Sequence, residues 1–288
     1  MSNFTAFVKV SSENKANVIA SSLERMSPSP LGVGILEIEG DEGSWELAAF
    51  FSKKPNSLEI KILEVVHEIE FVISKIANKD WISHVQRDLK PVRAGRFLVY
   101  GNHYRDTVPL NLSGLRIEAA MAFGTGHHAT TVGCLLALEQ LKKNNYFFWN
   151  IADIGCGTGV LAMAAASVYN ARVLACDTDE VAVETARYNF QVNGFNSKIF
   201  LVKSNGFNNL SILNRGPFDL IFANILANPL CRLAPNMAKY TKKNGIIILS
   251  GILNVQVTRV ERYYYENGFL RLFLKRLDQW TTIVMYRK

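Results

Sequence analysis

The chain has 288 residues, 49% of them hydrophobic and 20% charged, with 32 Lys and Arg against 25 Asp and Glu for a formal net charge of +7. That composition excludes a wholly disordered chain and leaves one large or two unequal globular domains. No apolar run approaches the roughly 18 residues of a membrane helix.

The start, Met1 to Phe7, lacks the charged-then-apolar layout of a signal peptide. Cys134, Cys156, Cys176 and Cys231 show no Cys-x-x-Cys spacing. Neither a zinc site nor a disulfide framework is expected, and a reducing cytoplasm fits. The basic excess is scattered, in pairs such as Lys142-Lys143 and Lys242-Lys243, with no dense block. It reads as a solubilising surface, and direct nucleic-acid binding is not expected from it.

Residues 1–78 read as a small α+β domain. Phe4 to Val10 is β-rich, and Ser12 to Met26 has helical spacing with Ser12 as N-cap and Pro28 and Pro30 just past its end. Val33–Ile38 and Ser44–Phe51 form a hairpin around Gly40-Asp41-Glu42-Gly43. Ser57–Ile69 reads as a second helix and Glu70–Ile76 as a last strand. The order β-α-β-β-α-β is that of a ferredoxin-like unit.

Residues 79–95 read as a linker, and 96–288 as a second domain. Strands are expected at Arg96–Tyr100 and Leu115–Ala119, then a loop from Met121 to Thr131 that holds Gly124, Gly126, His127 and His128 and opens a helix over Val132–Lys142. Thr130 or Thr131 would cap that helix. Adjacent histidines seldom converge on one ion and no carboxylate follows at ligand spacing, so no metal is expected; a general base is the alternative role for a histidine here, and the loop reads first as a lid or wall over a ligand. Thereafter strands at Asn150–Ile154, Arg172–Asp177, Lys198–Val202, Phe218–Ala223 and Gly245–Ser250 alternate with helices, before a hairpin of Leu270–Leu277 and Thr281–Tyr286. Such alternation makes a mostly parallel sheet covered on both faces.

The strand Asn150–Ile154 runs into Gly155-Cys156-Gly157-Thr158-Gly159 and an alanine-rich helix, Val160–Val168. Glycines there permit a tight turn and close approach of a ligand to backbone N–H groups. The spacing is Gly-x-Gly-x-Gly, not the Gly-x-Gly-x-x-Gly of dinucleotide binders. Asp153, two residues before the loop, is awkward beside a pyrophosphate and suits an ammonium, such as the methionine end of S-adenosylmethionine. Asp177, at the end of the next strand, can accept both hydroxyls of a ribose. Asn224 leaves the apolar strand Phe218–Ala223 at the same edge. Its carbonyl can accept a hydrogen bond from a substrate amine; its plain alternative is to cap the turn before Pro229.

These residues resemble the bacterial ribosomal protein L-eleven methyltransferases. The family's Ala-Phe-Gly-Thr-Gly-x-His-x-Thr-Thr stands at Ala122 to Thr131, its glycine loop at Asp153 to Gly159, its Asn-Ile-Leu-Ala at Asn224 to Ala227 and its Ser-Gly-Ile-Leu at Ser250 to Leu253. The resemblance implies a Rossmann-like seven-stranded methyltransferase domain behind a small N-terminal domain that captures the substrate protein. It implies S-adenosyl-L-methionine as cofactor, and trimethylation of lysine side chains and the N-terminal amine of the ribosomal protein. By position it makes Thr131, Gly155, Gly157, Asp177 and Asn224 cofactor contacts, with Asn224 also catalytic. Glu118-Ala119-Ala120 departs from a family Asp-Pro-Gly, and His84 to Asp88 from a linker tryptophan. An amino methyltransferase of RNA or DNA bases would share the fold but usually carry Asn-Pro-Pro-Tyr. The glycine spacing argues against a nicotinamide oxidoreductase, and Asp177 with an intact loop against a non-catalytic binding module.

Overall fold

A computed structural model describes residues 3–23, 25–30, 32–37, 44–76, 91–101, 104, 107–117 and 129–288. The chain divides into two compact units, Met1–Val85 and Gln86–Lys288.

The first unit runs β1 (Asn3–Val10), α1 (Glu13–Leu23), β2 (Gly32–Glu37), β3 (Trp45–Phe51), α2 (Ser57–His67) and β4 (Val72–Ile76). Its sheet has the order β2-β3-β1-β4 with every pair antiparallel, the ferredoxin-like arrangement. Ala6, Val8 and Val10 alternate onto the buried face of β1, and Ala16, Ile19, Ala20 and Leu23 recur at helical spacing to cover it. Both helices are shorter than their sequence patterns. The Ser12 hydroxyl accepts the Lys15 N–H at 3.3 Å, as expected of an N-cap, and α1 ends at Leu23, short of Met26. Glu68, at φ 50, turns the backbone left-handed and stops α2 at His67, short of Ile69. The turn at Gly40–Gly43 lies outside the described residues, as does most of the expected linker.

The second unit opens with a three-stranded sheet that the sequence pattern did not separate: β5 (Val92–Ala94), antiparallel to β6 (Phe97–Gly101), which runs parallel to β7 (Ser113–Ile117). Strand β5 lies inside the segment read as linker. Three residues carry too little period to declare a strand.

The main sheet follows through α3 (Ala129–Lys143), β8 (Asn150–Ile154), α4 (Val160–Val168), β9 (Arg172–Asp177), α5 (Glu180–Val192), β10 (Ile199–Lys203), α6 (Leu210–Leu213), β11 (Phe218–Asn224), α7 (Ala227–Tyr240), β12 (Thr241–Leu253), α8 (Val257–Glu266), β13 (Phe269–Leu277) and β14 (Trp280–Arg287). The order is β10-β9-β8-β11-β12-β14-β13, the first five strands parallel and β14 antiparallel to both neighbours. Both faces are buried: Leu220 and Phe222 of β11 join the core under α3 and α4, while Ile221 and Ala223 join the core under α7 and α8. That double burial is why these strands read as unbroken apolar runs. The chain leaves β8 toward β9 on one side and returns to β11 on the other. Their carboxyl ends therefore flank the switch point, where open α/β sheets take ligands.

Candidate active site

The glycine loop fills one side of that crevice. Gly155, Gly157 and Gly159 have φ of 74, 52 and 76°, a region that side chains resist. Space enforces the same choice: a Cβ on Gly155 would stand 2.6 Å from the Ile225 side chain. The N–H groups of Gly155 and Cys156 both donate to the Cys176 carbonyl, at 2.8 and 2.9 Å, which fastens the loop to the end of β9. From α5 the buried Asn189 amide donates to the Thr158 carbonyl at 2.9 Å. Sequence reasoning missed Asn189; an amide within a helix gives no local signal.

Asp177 also has a structural part that its spacing did not suggest. Its carboxylate accepts the Gly157 N–H at 2.8 Å and the Asp179 N–H at 3.1 Å, so it shapes the loop. Each oxygen keeps a further acceptor site for a ribose hydroxyl. Asp177→Ala is therefore expected to weaken cofactor binding at least about tenfold, each lost charge-assisted bond costing roughly 1.5–3 kcal/mol at most. It should also lower the melting temperature, because the loop loses its acceptor. Calorimetric titration with S-adenosylmethionine checks this, and an unchanged affinity would remove the ribose from Asp177.

Asp153 is wholly enclosed, and only one of its oxygens is satisfied: Oδ2 accepts the Ala162 N–H at 3.0 Å while Oδ1 has no partner. Burial raises its carboxyl from 3.8 to about 7, the Ala162 N–H opposing and the Asp177 charge adding to the shift. A buried acceptor without a donor is costly, and an ammonium at the loop would relieve it.

Across the crevice, Asn224 is the last residue of β11, one strand over from the loop. Phe222 pairs with Asp153, so Asn224 runs level with Gly155. It does not cap the next helix: α7 begins at Ala227 after Leu226 and has no side-chain cap. Instead the Asn224 amide donates to Thr131 Oγ1 at 3.4 Å. Helix α3 starts at Ala129, so Thr130 and Thr131 lie in its first turn and are not its caps, contrary to the sequence pattern. Both are buried. What holds that turn is a polar cluster in the core: Ser250 Oγ donates to the Thr130 carbonyl at 3.2 Å and lies 2.8 Å from Thr282 Oγ1. Gly251, at φ 80, lets β12 touch the Ile225 backbone, where a Cβ would collide with the carbonyl. Ser250 and Gly251 stood in a recognised motif, but Thr282 carried no signal.

The structure thus brings Thr131, Gly155, Gly157, Asp177 and Asn224 to one end of the sheet. Met121 to His128, with Phe123 and both histidines, lie outside the described residues. Among the described residues no cluster of His, Cys, Asp and Glu is placed to hold a metal, and no helix is long and apolar enough to cross a membrane.

A family model described as Ribosomal protein L11 methyltransferase (PrmA) matches residues 16–288. The chain belongs to that family. Relatives named ribosomal protein L11 methyltransferase include one from a Caulobacter species, 39% identical over 88% of this chain and 87% of its own length. Another, from Bradyrhizobium diazoefficiens, is 38% identical over 87% and 86%. A solved ribosomal protein L11 methylase from Lactobacillus delbrueckii subsp. bulgaricus superposes with a TM-score of 0.62 at 28% identity, covering 69% of this chain and all of that one. Membership in the L11 methyltransferase family makes the chain an S-adenosylmethionine-dependent enzyme. The orphaned Asp153 oxygen, the three left-handed glycines and the spare acceptor sites of Asp177 fit that cofactor.

Proposed function

We propose that this enzyme methylates lysine side-chain and N-terminal amino groups of ribosomal large-subunit protein L11, in the cytoplasm. The observation that carries this reading is the Asn224–Thr131 contact. With its amide donated to Thr131, the Asn224 carbonyl is left as an acceptor at the crevice beside the glycine loop.

S-Adenosylmethionine, when bound, supplies an electrophilic methyl group on a sulfonium. Asp153 would hold its ammonium, the Cβ-free backbone of Gly155 and Gly157 would lie against its methionine portion, and Asp177 would hold its ribose. The rest is positioning of an amine. The Asn224 carbonyl accepts an amine N–H and so directs the nitrogen lone pair into the crevice; Thr131 fixes the amide that does so. Such alignment is worth several orders of magnitude in rate. The incoming amine must also be neutral, and a free lysine of pKa near 10.4 is so in only about one molecule in 2,500 at pH 7. Apolar walls lower that pKa. Ile225, partly buried, and Leu226, exposed beside it, border Asn224 and supply such a surface. Intact-mass analysis of the free ribosomal protein after incubation with enzyme and cofactor tests the reading. Mass increments in multiples of one methyl are expected, and their absence would refute it.

The first unit, with its own sheet and core, is assigned the capture of the protein substrate. Removing residues 1–78 is expected to leave a folded domain that binds cofactor normally and methylates the full-length ribosomal protein at least about tenfold more slowly, a loss of roughly 1.4 kcal/mol or more in kcat/KM. Equal kcat/KM for the truncated and full-length enzymes would end the recruitment role.

A further inference from the structure

The formal charge of +7 forms no block in the sequence, yet the fold collects it. Parallel strands all enter the sheet at one edge, so the segments preceding β8 to β12 meet there, opposite the cofactor loop. Arg172 opens β9, and its N–H donates to the Trp149 carbonyl at 2.8 Å. The Asn150 side chain donates to the carbonyls of Arg215 and Pro217, at 2.6 and 3.0 Å. Asp219 accepts the N–H groups of Trp149 and Asn150, both at 2.8 Å, and pairs with Lys242 at 2.6 Å. These bonds fix Trp149, Arg172, Arg215 and Lys242 as one band. Across residues 139–150, 169–173, 194–200, 213–219 and 239–245 the band holds eight Lys and Arg against two acids, Glu139 and Asp219. Each acid already pairs with a lysine.

Aromatic rings stand among the charges. Phe147 and Trp149 are 65% and 68% exposed, unusual for side chains of that size. The Arg215 guanidinium lies 3.6 Å over the exposed Phe200 ring, and Lys142 reaches both Phe147 and Tyr169, at 5.0 and 4.7 Å. Beyond Tyr169 the band meets an open polar groove of about 650 Å³ lined by Arg93, Arg96, Asn111 and Ser113, and by Glu139, whose carboxylate pairs with Lys143. There the Arg96 Nε and, close by, the Tyr169 hydroxyl are buried without hydrogen-bond partners. An unpaired guanidinium donor at a polar groove is suited to an oxyanion.

We propose that this edge binds single-stranded RNA, with phosphates at the Arg93–Arg96 groove and along Arg172, and bases stacked on Trp149 and on the outer face of the Arg215 guanidinium. Basic side chains interleaved with exposed rings are the equipment for unpaired nucleotides. An anionic membrane would answer the charge, but its usual partner is a helix with a continuous apolar face, and these rings sit singly among cations. The five residues of β8, at roughly 3.3 Å each, separate this edge from the glycine loop, so RNA and cofactor can be held at once.

The test uses the full-length enzyme and a fluorescein-labelled oligouridylate of about a dozen nucleotides, followed by anisotropy between about 50 and 200 mM salt. Saturable binding that weakens steeply with salt is expected. Trp149→Ala should weaken it at least about tenfold with little change in salt slope, since stacking is lost and phosphate contacts are kept. Arg172→Gln combined with Arg215→Gln should weaken it similarly and flatten the slope by roughly 0.7 for each phosphate contact removed. Cofactor affinity and methylation of the free ribosomal protein should be unchanged in both. Trp149→Phe, which keeps a ring, should bind close to the parent and guards against a fold defect. No binding by the parent at the lowest salt, or equal binding by parent and both variants, would overturn the proposal. Retention on phosphatidylserine vesicles without oligonucleotide binding would assign the edge to a membrane instead and overturn it as well.

Discussion

Replacing Asn224 by Ala is expected to lower the methylation rate on the order of 10²-fold or more while the fold survives. The amide makes one long bond, 3.4 Å to Thr131 Oγ1, so its loss should cost about 1 kcal/mol of stability or less. Misaligning the amine costs far more in rate. Asn224→Asp separates alignment from protonation. A carboxylate there would hold the amine as a cation and raise its pKa, so activity should be low at neutral pH and recover partly as pH rises, a profile the Ala variant should not share. Thr131 can donate its hydroxyl to that carboxylate, which keeps the side chain in place. Cofactor affinity is measured alongside, because Asn224 borders the cofactor loop. Turnover within about twofold of the parent in both variants, at saturating cofactor, would take Asn224 out of the mechanism.

Asp153→Asn should stabilise the cofactor-free protein above neutral pH and, in the same variant, weaken cofactor binding at least about tenfold. The folded carboxyl titrates near 7, against an ordinary 3.8. Between those values the folded chain holds a proton that the unfolded chain has lost. The stability this group confers is thus full below about pH 4, declines as pH rises and is lost above 7, a difference on the order of 4 kcal/mol. Asn resembles the protonated acid in shape and in carrying a donor, so it should match the parent near pH 5 and exceed its melting temperature increasingly toward pH 8.5. Binding of a cationic ligand favours the ionised carboxylate. Calorimetry at pH 7 in buffers of different ionisation heat should therefore show proton release from the parent and none from Asp153→Asn. Parallel pH–stability curves for the two proteins would contradict the titration, and equal affinities would contradict the ammonium placement.

The same buried carboxylate explains why one part of the site could be read in the sequence and another could not. Asp153, the three glycines and Asp177 lie on one strand–loop–helix–strand run, where local spacing dictates geometry: two residues from acid to loop, one strand from loop to second acid. The alternation that announced a covered parallel sheet is local as well, since burial on both faces writes apolar runs into β8, β9, β11 and β12. The hairpin of β13 and β14 was readable for the same reason, but not that β14 would insert between β12 and β13.

What the sequence determined by itself was therefore most of the elements, though not the short β5, with the cofactor loop and the family's motifs, because each is encoded within a few tens of residues. Tertiary structure alone decided which of them meet. Thr131 reads as a helix cap until the fold sets it beside Asn224, 93 residues away. Thr282 reads as an ordinary strand residue until β14 brings it to Ser250. The lysines and arginines look scattered until five parallel strands, all entering from one side, line up the segments before them. Hydrogen bonds and Coulomb forces act through a few ångströms of space and are indifferent to distance along the chain. A contact between distant segments leaves no periodicity to read in either one; it exists once the sheet order is fixed.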